Sequence, residues 1–143
     1  RYFFVPSPVE IKLAHLPKKE LKLALHPERK EKGHRTIHVK HELFVSKEDF
    51  ENLEGKEVRL KDFCNVVLKK DAEFTSVENK EIPRIQWVSE HMPVKVVMPD
   101  GRVVEGYGEK SLKDVSDEVI QFERFGFARR GPEKDGVFYF AHK

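Results

Sequence analysis

The amino-acid sequence predicts a mainly-β protein with one or two short helices in a closed or nearly closed antiparallel arrangement. Apolar and polar residues alternate in many short stretches, which is the period of a half-buried strand. Turn residues separate these stretches, and only two of them have the spacing of a helix. Many short strands with few helices are typical of small barrels. At 143 residues, the chain has the size of one domain or of two small barrels that share a core.

The clearest alternation lies near the N-terminus. The stretches PVEIKLA (8–14) and ELKLAL (20–25) place leucine, isoleucine and valine on one face and charged residues on the other, so both are predicted strands. The stretch HPERKEKGHR (26–35) has Pro, Gly and many basic side chains without an apolar period, which predicts an exposed loop before the strand TIHV. In SKEDFENL, Ser46 can cap a short helix because an acid follows three positions later.

The middle of the chain returns to a period of two. In KEVRLKDF, Val58 and Leu60 are predicted to face inward, which leaves Arg59 and Lys61 side by side on the opposite face. The apolar run CNVVL follows, and we expect a hairpin around KKDAEFTSVENKE.

In the second half, PVKVVM and RVVEGYG flank Pro99–Gly101, a turn sequence that predicts a hairpin. SLKDVSDE is predicted to form one helical turn capped by Ser111. The stretch VIQFERFGF (119–127) has the aromatic content of a buried strand, but it carries Gln121, Glu123 and Arg124 in its middle. We predict one strand here, then a turn in RRGPEKDG and a final strand VFYFAH.

Composition excludes several classes of protein. Charged residues make up 36% of the chain, yet the net charge is only +2, so any affinity for nucleic acid must come from local patches. No apolar run approaches the ~20 residues that span a bilayer, and no secretory signal is present. The single Cys64 excludes an internal disulfide and a zinc ribbon and predicts a reducing, cytoplasmic location. Because the chain begins with Arg1, we expect a fragment of something longer.

No motif predicts catalysis or a resident metal. Three histidines lie close in sequence, at His34, His38 and His41, but a strand would turn them to different faces, so solvated histidines are the better interpretation. Gly106 and Gly108 lack the third glycine of a dinucleotide site and are expected at the end of a hairpin. Cys64 borders an apolar run and is expected to fill the core.

Basic side chains that stand near amides and aromatic rings remain: Arg1 beside Tyr2 and Phe3, Arg59 with Lys61, Arg84 beside Gln86 and Trp87, and Gln121 with Arg124. Such groups suit single-stranded RNA, since unpaired bases stack on planar groups and hydrogen-bond to Arg and Gln. A strongly charged surface also supplies such neighbours by chance, and composition alone favours that interpretation.

Several stretches, in the same order, resemble the C-terminal anticodon-binding region of class I glutamyl- and glutaminyl-tRNA synthetases. They are RYFFVPSPVEI, LHPERKEKGHR, GKEVRLKDFCNV, IPRIQWVSE, VIQFERFGFARR and FYFAHK, and the archaeal glutamyl type is the most similar. The resemblance implies two β-barrels with the topology of a ribosomal protein that binds 5S RNA. We expect these barrels at approximately 1–75 and 76–143 with strands exchanged, and a catalytic domain upstream of Arg1.

The resemblance also implies roles for five residues. Arg1 matches an arginine that contacts the third anticodon base, and Arg59 and Lys61 match a basic pair on the anticodon-binding face. Gln121 and Arg124 match positions that read an anticodon base from the other barrel. On one flat strand Gln121 and Arg124 would point to opposite faces, so a common nucleotide requires a bulge, strong twist or strand end, for which Gly126 is a candidate.

The implied partner is tRNA(Glu), bound by a monomer that does not associate with membranes. The resemblance implies that this region itself is non-catalytic and holds no cofactor, while ATP with Mg acts in the absent catalytic domain. Two alternatives stay open at this point. One is the anticodon-binding region of a glutaminyl-tRNA synthetase, and the other is a free-standing β-barrel that binds RNA or protein.

Overall fold

The structure is a computed structural model that describes residues 1–25, 28, 31, 33–115, 119–132 and 136–143. Strands dominate it, which confirms the mainly-β prediction. An α-helix, α1 (Lys47–Leu53), and a 3-10 helix (Lys110–Asp114) stand among them. In chain order the strands are β1 (Phe4–Pro6), β2 (Pro8–Leu13), β3 (Glu20–Ala24), β4 (His34–His38), β5 (Glu42–Ser46), β6 (Glu57–Leu60), β7 (Cys64–Val67), β8 (Asp71–Ser76), β9 (Arg84–Ile85), β10 (His91–Val97), β11 (Val103–Glu109), β12 (Val119–Phe122), β13 (Gly126–Arg130) and β14 (Val137–His142).

Two six-stranded sheets form the body of the fold. The first has the order β5-β2-β8-β7-β6-β9, the second has the order β1-β11-β10-β14-β13-β12, and β3 pairs with β4 in a separate hairpin. Most neighbours are antiparallel, as predicted. However, β2 with β8, β6 with β9 and β10 with β14 are parallel pairs. Residue alternation does not encode strand direction, so the sequence could not show these pairs.

Each sheet curls until its two edges approach each other. In the second sheet, Tyr2 forms a parallel bridge with Phe122 at the end of β12. In the first sheet, Phe44 of β5 forms an antiparallel bridge with Val88, just after β9. Both sheets are therefore curled half-barrels, as the barrel prediction requires.

The N-terminal residues lie between the two apolar cores and contribute to both. Tyr2 and Phe4 belong to the core of the second sheet, where the Phe4 and Phe122 rings lie 5.1 Å apart. Phe3 and Val5 belong to the core of the first sheet, where the Phe3 and Trp87 rings lie 5.8 Å apart. Successive side chains of an extended chain point to opposite sides, so this short segment joins the two half-barrels.

Two local predictions are confirmed in detail. The Ser46 hydroxyl caps α1 by accepting a hydrogen bond from the Asp49 amide (3.0 Å), and Phe50 buries the apolar side of the helix. Strands β10 and β11 form the predicted hairpin, in which the Gly101 amide donates to the Met98 carbonyl (2.9 Å). Gly101 takes a φ of +89°, which glycine adopts without strain.

The prediction is wrong for Gly106, which lies opposite Val94 in the middle of the β10–β11 hairpin, whereas Gly108 lies one pair from its open end. The two glycines also lie opposite Pro6 and Phe4 of β1. A Cβ atom on Gly106 would lie 2.1 Å from the Val5 carbonyl oxygen, so the missing side chain lets β1 approach.

The predicted cap at Ser111 is also wrong. The 3-10 helix has Glu109 at its N-cap, and the Ser111 hydroxyl donates to the Glu109 carboxylate. The rest of that predicted helical turn (116–118), part of the predicted loop 26–35 and part of the predicted turn 129–136 lie outside the described residues.

Candidate nucleic-acid interface

The N-terminal residues run beside the end of β12. The Tyr2 amide donates to the Gln121 carbonyl (2.8 Å), and the Glu123 amide donates to the Tyr2 carbonyl (3.0 Å). These two backbone hydrogen bonds fix Arg1 next to the stretch that carries Gln121 and Glu123. Residues more than a hundred positions apart in sequence thus become neighbours.

The stretch 119–127 folds as a hairpin, which corrects the prediction of one strand. Strand β12 ends at Phe122 and β13 begins at Gly126, with the Phe125 amide donating to the Phe122 carbonyl (3.0 Å). Arg124 lies in the turn with a φ of +61°, a backbone conformation that residues other than glycine seldom adopt. Gln121 and Arg124 therefore project from a strand and from its turn, so the flat-strand conflict between them does not arise.

Glu123 is the point at which three separate segments meet. Its carboxylate lies 4.0 Å from Arg1 Nη1 and 4.0 Å from Lys61 Nζ, and it accepts a hydrogen bond from Gln86 Nε2 (3.2 Å). The Glu123 side chain is only 10% exposed, whereas Arg1 and Lys61 are 48% and 28% exposed. The site therefore has an acid at its base and cations facing solvent. We call these four residues the Glu123 cluster.

A cleft of about 1280 Å³ opens beside this cluster. Arg1 and Gln121 line it, between the β3–β4 hairpin, the 3-10 helix and β12. Further lining side chains carry both charges and apolar surface: Arg35, His38, Lys110, Lys113, Glu109 and Val119. A cleft of this composition can hold a planar polar group against apolar walls.

Arg124 lies beside the cluster but is not among the residues that line the cleft. Its guanidinium donates to the Arg84 carbonyl (2.9 Å) and lies 3.8 Å from an Asp49 carboxylate oxygen. With 55% of its side chain exposed, it remains accessible to a partner.

Val58 and Leu60 are buried as predicted, while Arg59 and Lys61 are partly exposed and have different partners. Arg59 Nη1 donates to Asn65 Oδ1 (3.0 Å) and to the carbonyls of Val77 and Glu78. Strand β6 ends at Leu60, so Lys61 lies in the following turn and reaches the Glu123 cluster instead.

Sequence reasoning missed a buried ion pair that forms one wall of the cleft. Arg35 Nε donates to Glu109 (2.5 Å), and the side chains are only 6% and 2% exposed. Glu109 also accepts from the Phe3 amide (2.7 Å). The sequence predicts an exposed loop at Arg35, yet β4 begins at His34. Its position two residues before Ile37 was the available signal for an inward side chain.

Family models match this chain over nearly its whole length. One, described as "tRNA synthetases class I (E and Q), anti-codon binding domain", matches residues 1–86, and a second with the same description matches residues 84–130. This chain belongs to that family. The family assignment confirms the resemblance seen in the sequence. The side chains of the Glu123 cluster just described suit a domain that binds an anticodon.

Relatives of this anticodon-binding domain are glutamate–tRNA ligases. The ligase of Archaeoglobus fulgidus is 42% identical over 90% of this chain, that of Methanosarcina acetivorans is 38% identical over 100%, and that of Pyrococcus abyssi is 39% identical over 90%. These matches cover 24%, 27% and 25% of the three ligases, so the chain spans about a quarter of their length.

The histidines and Cys64, which the sequence analysis also considered, lie in surroundings different from those of the Glu123 cluster. His41 Nδ1 contacts the Leu13 carbonyl, while His38 lies 3.7 Å from Glu20, and the described residues contain no group of three His, Cys, Asp or Glu suited to a metal. Cys64 fills the core of the first sheet as predicted, and burial raises the pKa of its thiol to about 12. No helix in the described part of the chain is long and apolar enough to span a bilayer.

Proposed function

We propose that this chain is the anticodon-binding region of a glutamate–tRNA ligase and that it binds the anticodon of tRNA(Glu). One observation carries the proposal. Arg1, Lys61 and Gln86 converge on Glu123 from three separate parts of the chain, and Arg1 and Gln121 line the cleft beside this cluster. The family and the names of the relatives supply the kind of RNA.

In this proposal each group has a task that follows from its chemistry. Arg1 and Gln121 hydrogen-bond to the edge of an unstacked base in the cleft, because both carry directed donors. Arg124 reads a base from the turn beside the cleft, and its planar guanidinium also offers a stacking surface. Lys61 neutralises a phosphate. Arg59, whose guanidinium already binds Asn65, contributes through its charge to the same face.

The chemical step belongs to the rest of the ligase in this proposal. There ATP, with Mg²⁺, activates glutamate as an adenylate, and the glutamyl group passes to the end of the tRNA. We further propose that the ligase acts in the cytoplasm as a monomer. Sedimentation of the free protein and of its tRNA complex tests whether the ligase is a monomer.

A binding titration tests the assignment of Arg124. The full-length protein is titrated with tRNA(Glu) and with an anticodon-altered tRNA(Glu) at two salt concentrations. Arg124→Ala should weaken binding of the intact anticodon by about 1–3 kcal/mol and reduce discrimination, as expected for a base contact. Alanine adopts the turn conformation no worse than arginine does, so the fold should persist.

Two matched variants separate the guanidinium from its charge. Arg124→Lys keeps the charge but loses the planar fork, so it should retain the salt dependence and lose discrimination. Arg102→Ala removes an arginine that is 73% exposed in the turn between β10 and β11, and it should change neither quantity. If Arg124→Ala left discrimination unchanged, its role in reading bases would be wrong.

The amino acid requires a separate measurement, since the family description covers both glutamate and glutamine enzymes. Aminoacylation of tRNA by the full-length protein, assayed with each amino acid in turn, is expected to proceed with glutamate. A reaction with glutamine alone would favour the alternative assignment.

A further inference from the structure

Glu123 is an unexpected residue at a site for RNA, because a carboxylate repels phosphate. Sequence and fold nevertheless place it at the base of the cluster, between the only two cations that the described residues bring within 4.0 Å of it. The two ion pairs are long, and their cations are partly exposed. Each pair is therefore weak and can be exchanged for another partner.

The carboxylate itself is held more firmly than the cations around it. The Glu123 amide donates to the Tyr2 carbonyl (3.0 Å), and the carboxylate accepts from Gln86 Nε2. Only the NH₂ end of the Gln86 side chain can donate to a carboxylate, so this contact fixes the orientation of the amide. The structure thus combines a fixed acid with two exchangeable cations.

Gln86 gives independent evidence that the cluster is incomplete. The residue is only 6% exposed, and its Oε1 is the buried side-chain oxygen that lacks a hydrogen-bond partner in the described part of the chain. An unpaired buried acceptor destabilises the folded protein. Next to a site for RNA, both this oxygen and the carboxylate present acceptors that only a hydrogen-bond donor can satisfy.

We propose that Glu123 is a specificity-determining residue of the anticodon site, which neutralises Arg1 and Lys61 until a base whose N–H donor is positioned to reach its carboxylate binds. This inference rests on the proposed function. RNA phosphates carry only acceptors, so the carboxylate weakens their binding to the two cations. Base edges also carry N–H groups, from which a carboxylate can accept a hydrogen bond. Glu123 therefore favours nucleotides whose base edge places a donor at the carboxylate over nucleotides that bring only a phosphate to the two cations.

Glu123→Gln in the full-length protein tests this mechanism. The amide that replaces the carboxylate can still accept the hydrogen bond from Gln86, but it no longer neutralises the cations. The ligands are the anticodon stem-loop of tRNA(Glu) and the same RNA with an altered anticodon, each titrated at several salt concentrations. The control is Glu105→Gln, which removes the same charge from an exposed pair with Lys95 (3.7 Å) on β11.

The expected result is a loss of discrimination through a gain of binding. Affinity for the altered RNA should rise about fivefold at low salt, which corresponds to about 1 kcal/mol, while affinity for the intact RNA rises less or falls. The slope of log affinity against log salt should steepen by about 0.7, the contribution of one additional phosphate contact on a single strand. Glu105→Gln should leave the ratio of the two affinities unchanged.

A purely structural role for Glu123 predicts a different result, in which both RNAs bind more weakly by the same factor and the salt slope is unchanged. That outcome would overturn the inference. So would a wild-type protein that binds both RNAs equally, which would overturn the proposed function as well. A thermal melt checks folding. If Glu123→Gln does not fold, Glu123→Asp, which withdraws the carboxylate from Arg1 and Lys61, must shift discrimination in the same direction.

Discussion

Removing Arg35 should destabilise this chain far more than removing an exposed arginine. Arg35→Met keeps most of the side-chain volume but leaves the Glu109 carboxylate buried, where among the described residues the Phe3 amide and the Ser111 hydroxyl remain as its hydrogen-bond donors. Both partners of the ion pair are almost fully buried, so solvent screening does not reduce the effect. Breaking such a pair costs about 3–5 kcal/mol. This is a large part of the ~5–15 kcal/mol that stabilises a typical domain.

Urea unfolding measures this free energy directly. The single Trp87 is completely buried and reports on the core of the first sheet through its fluorescence. The matched control is Arg102→Met, because Arg102 Nε contacts Asp100 at 2.6 Å but the two side chains are 73% and 56% exposed. We expect a loss below about 1 kcal/mol for the control. Equal losses in the two variants would refute the argument from burial.

A double variant identifies the origin of the loss. Replacing both Arg35 and Glu109 with methionine removes the uncompensated charge, so stability should recover in part. Recovery should be incomplete, because the Phe3 amide then lacks its acceptor. A double variant that is less stable than Arg35→Met would show that the carboxylate alone is not the cause.

Two further predictions concern the cores. Burial raises the pKa of the Cys64 thiol from its ordinary value of 9.0 to about 12, although the positive charge of Arg59 acts in the opposite direction. As the pH rises, the thiol therefore loses its proton in the unfolded chain before it does so in the folded protein. The free energy of unfolding should consequently fall between about pH 9 and pH 12. Urea unfolding should show that the free energy of unfolding falls more between pH 8 and pH 10.5 in the wild-type protein than in Cys64→Ala. Equal falls in the two proteins would contradict this prediction. Gly106→Ala forces a Cβ against the Val5 carbonyl and should lower the free energy of unfolding by about 1–3 kcal/mol, so an unchanged urea midpoint would contradict the close approach of β1.

Local signals in the sequence were sufficient wherever a few neighbouring residues decide the structure. The Ser46 cap and the turn at Pro99–Gly101 depend on hydrogen bonds within three or four residues, and both were predicted correctly. Alternation likewise predicted most strands, because the period of two follows from the geometry of an extended chain. The same reasoning failed at residues 119–127, where aromatic content resembled one strand and the turn at Arg124 carried no glycine.

The sequence by itself determined the mainly-β class, the short helix, the buried Cys64 and the family. Tertiary structure alone decided which polar residues share a site. Glu123 meets Arg1, Lys61 and Gln86 across long sequence separations, and Arg35 turns inward to meet Glu109, 74 residues away. The physical reason is that local periodicity fixes the face on which a side chain lies. Pairing between distant strands then determines which other face it meets.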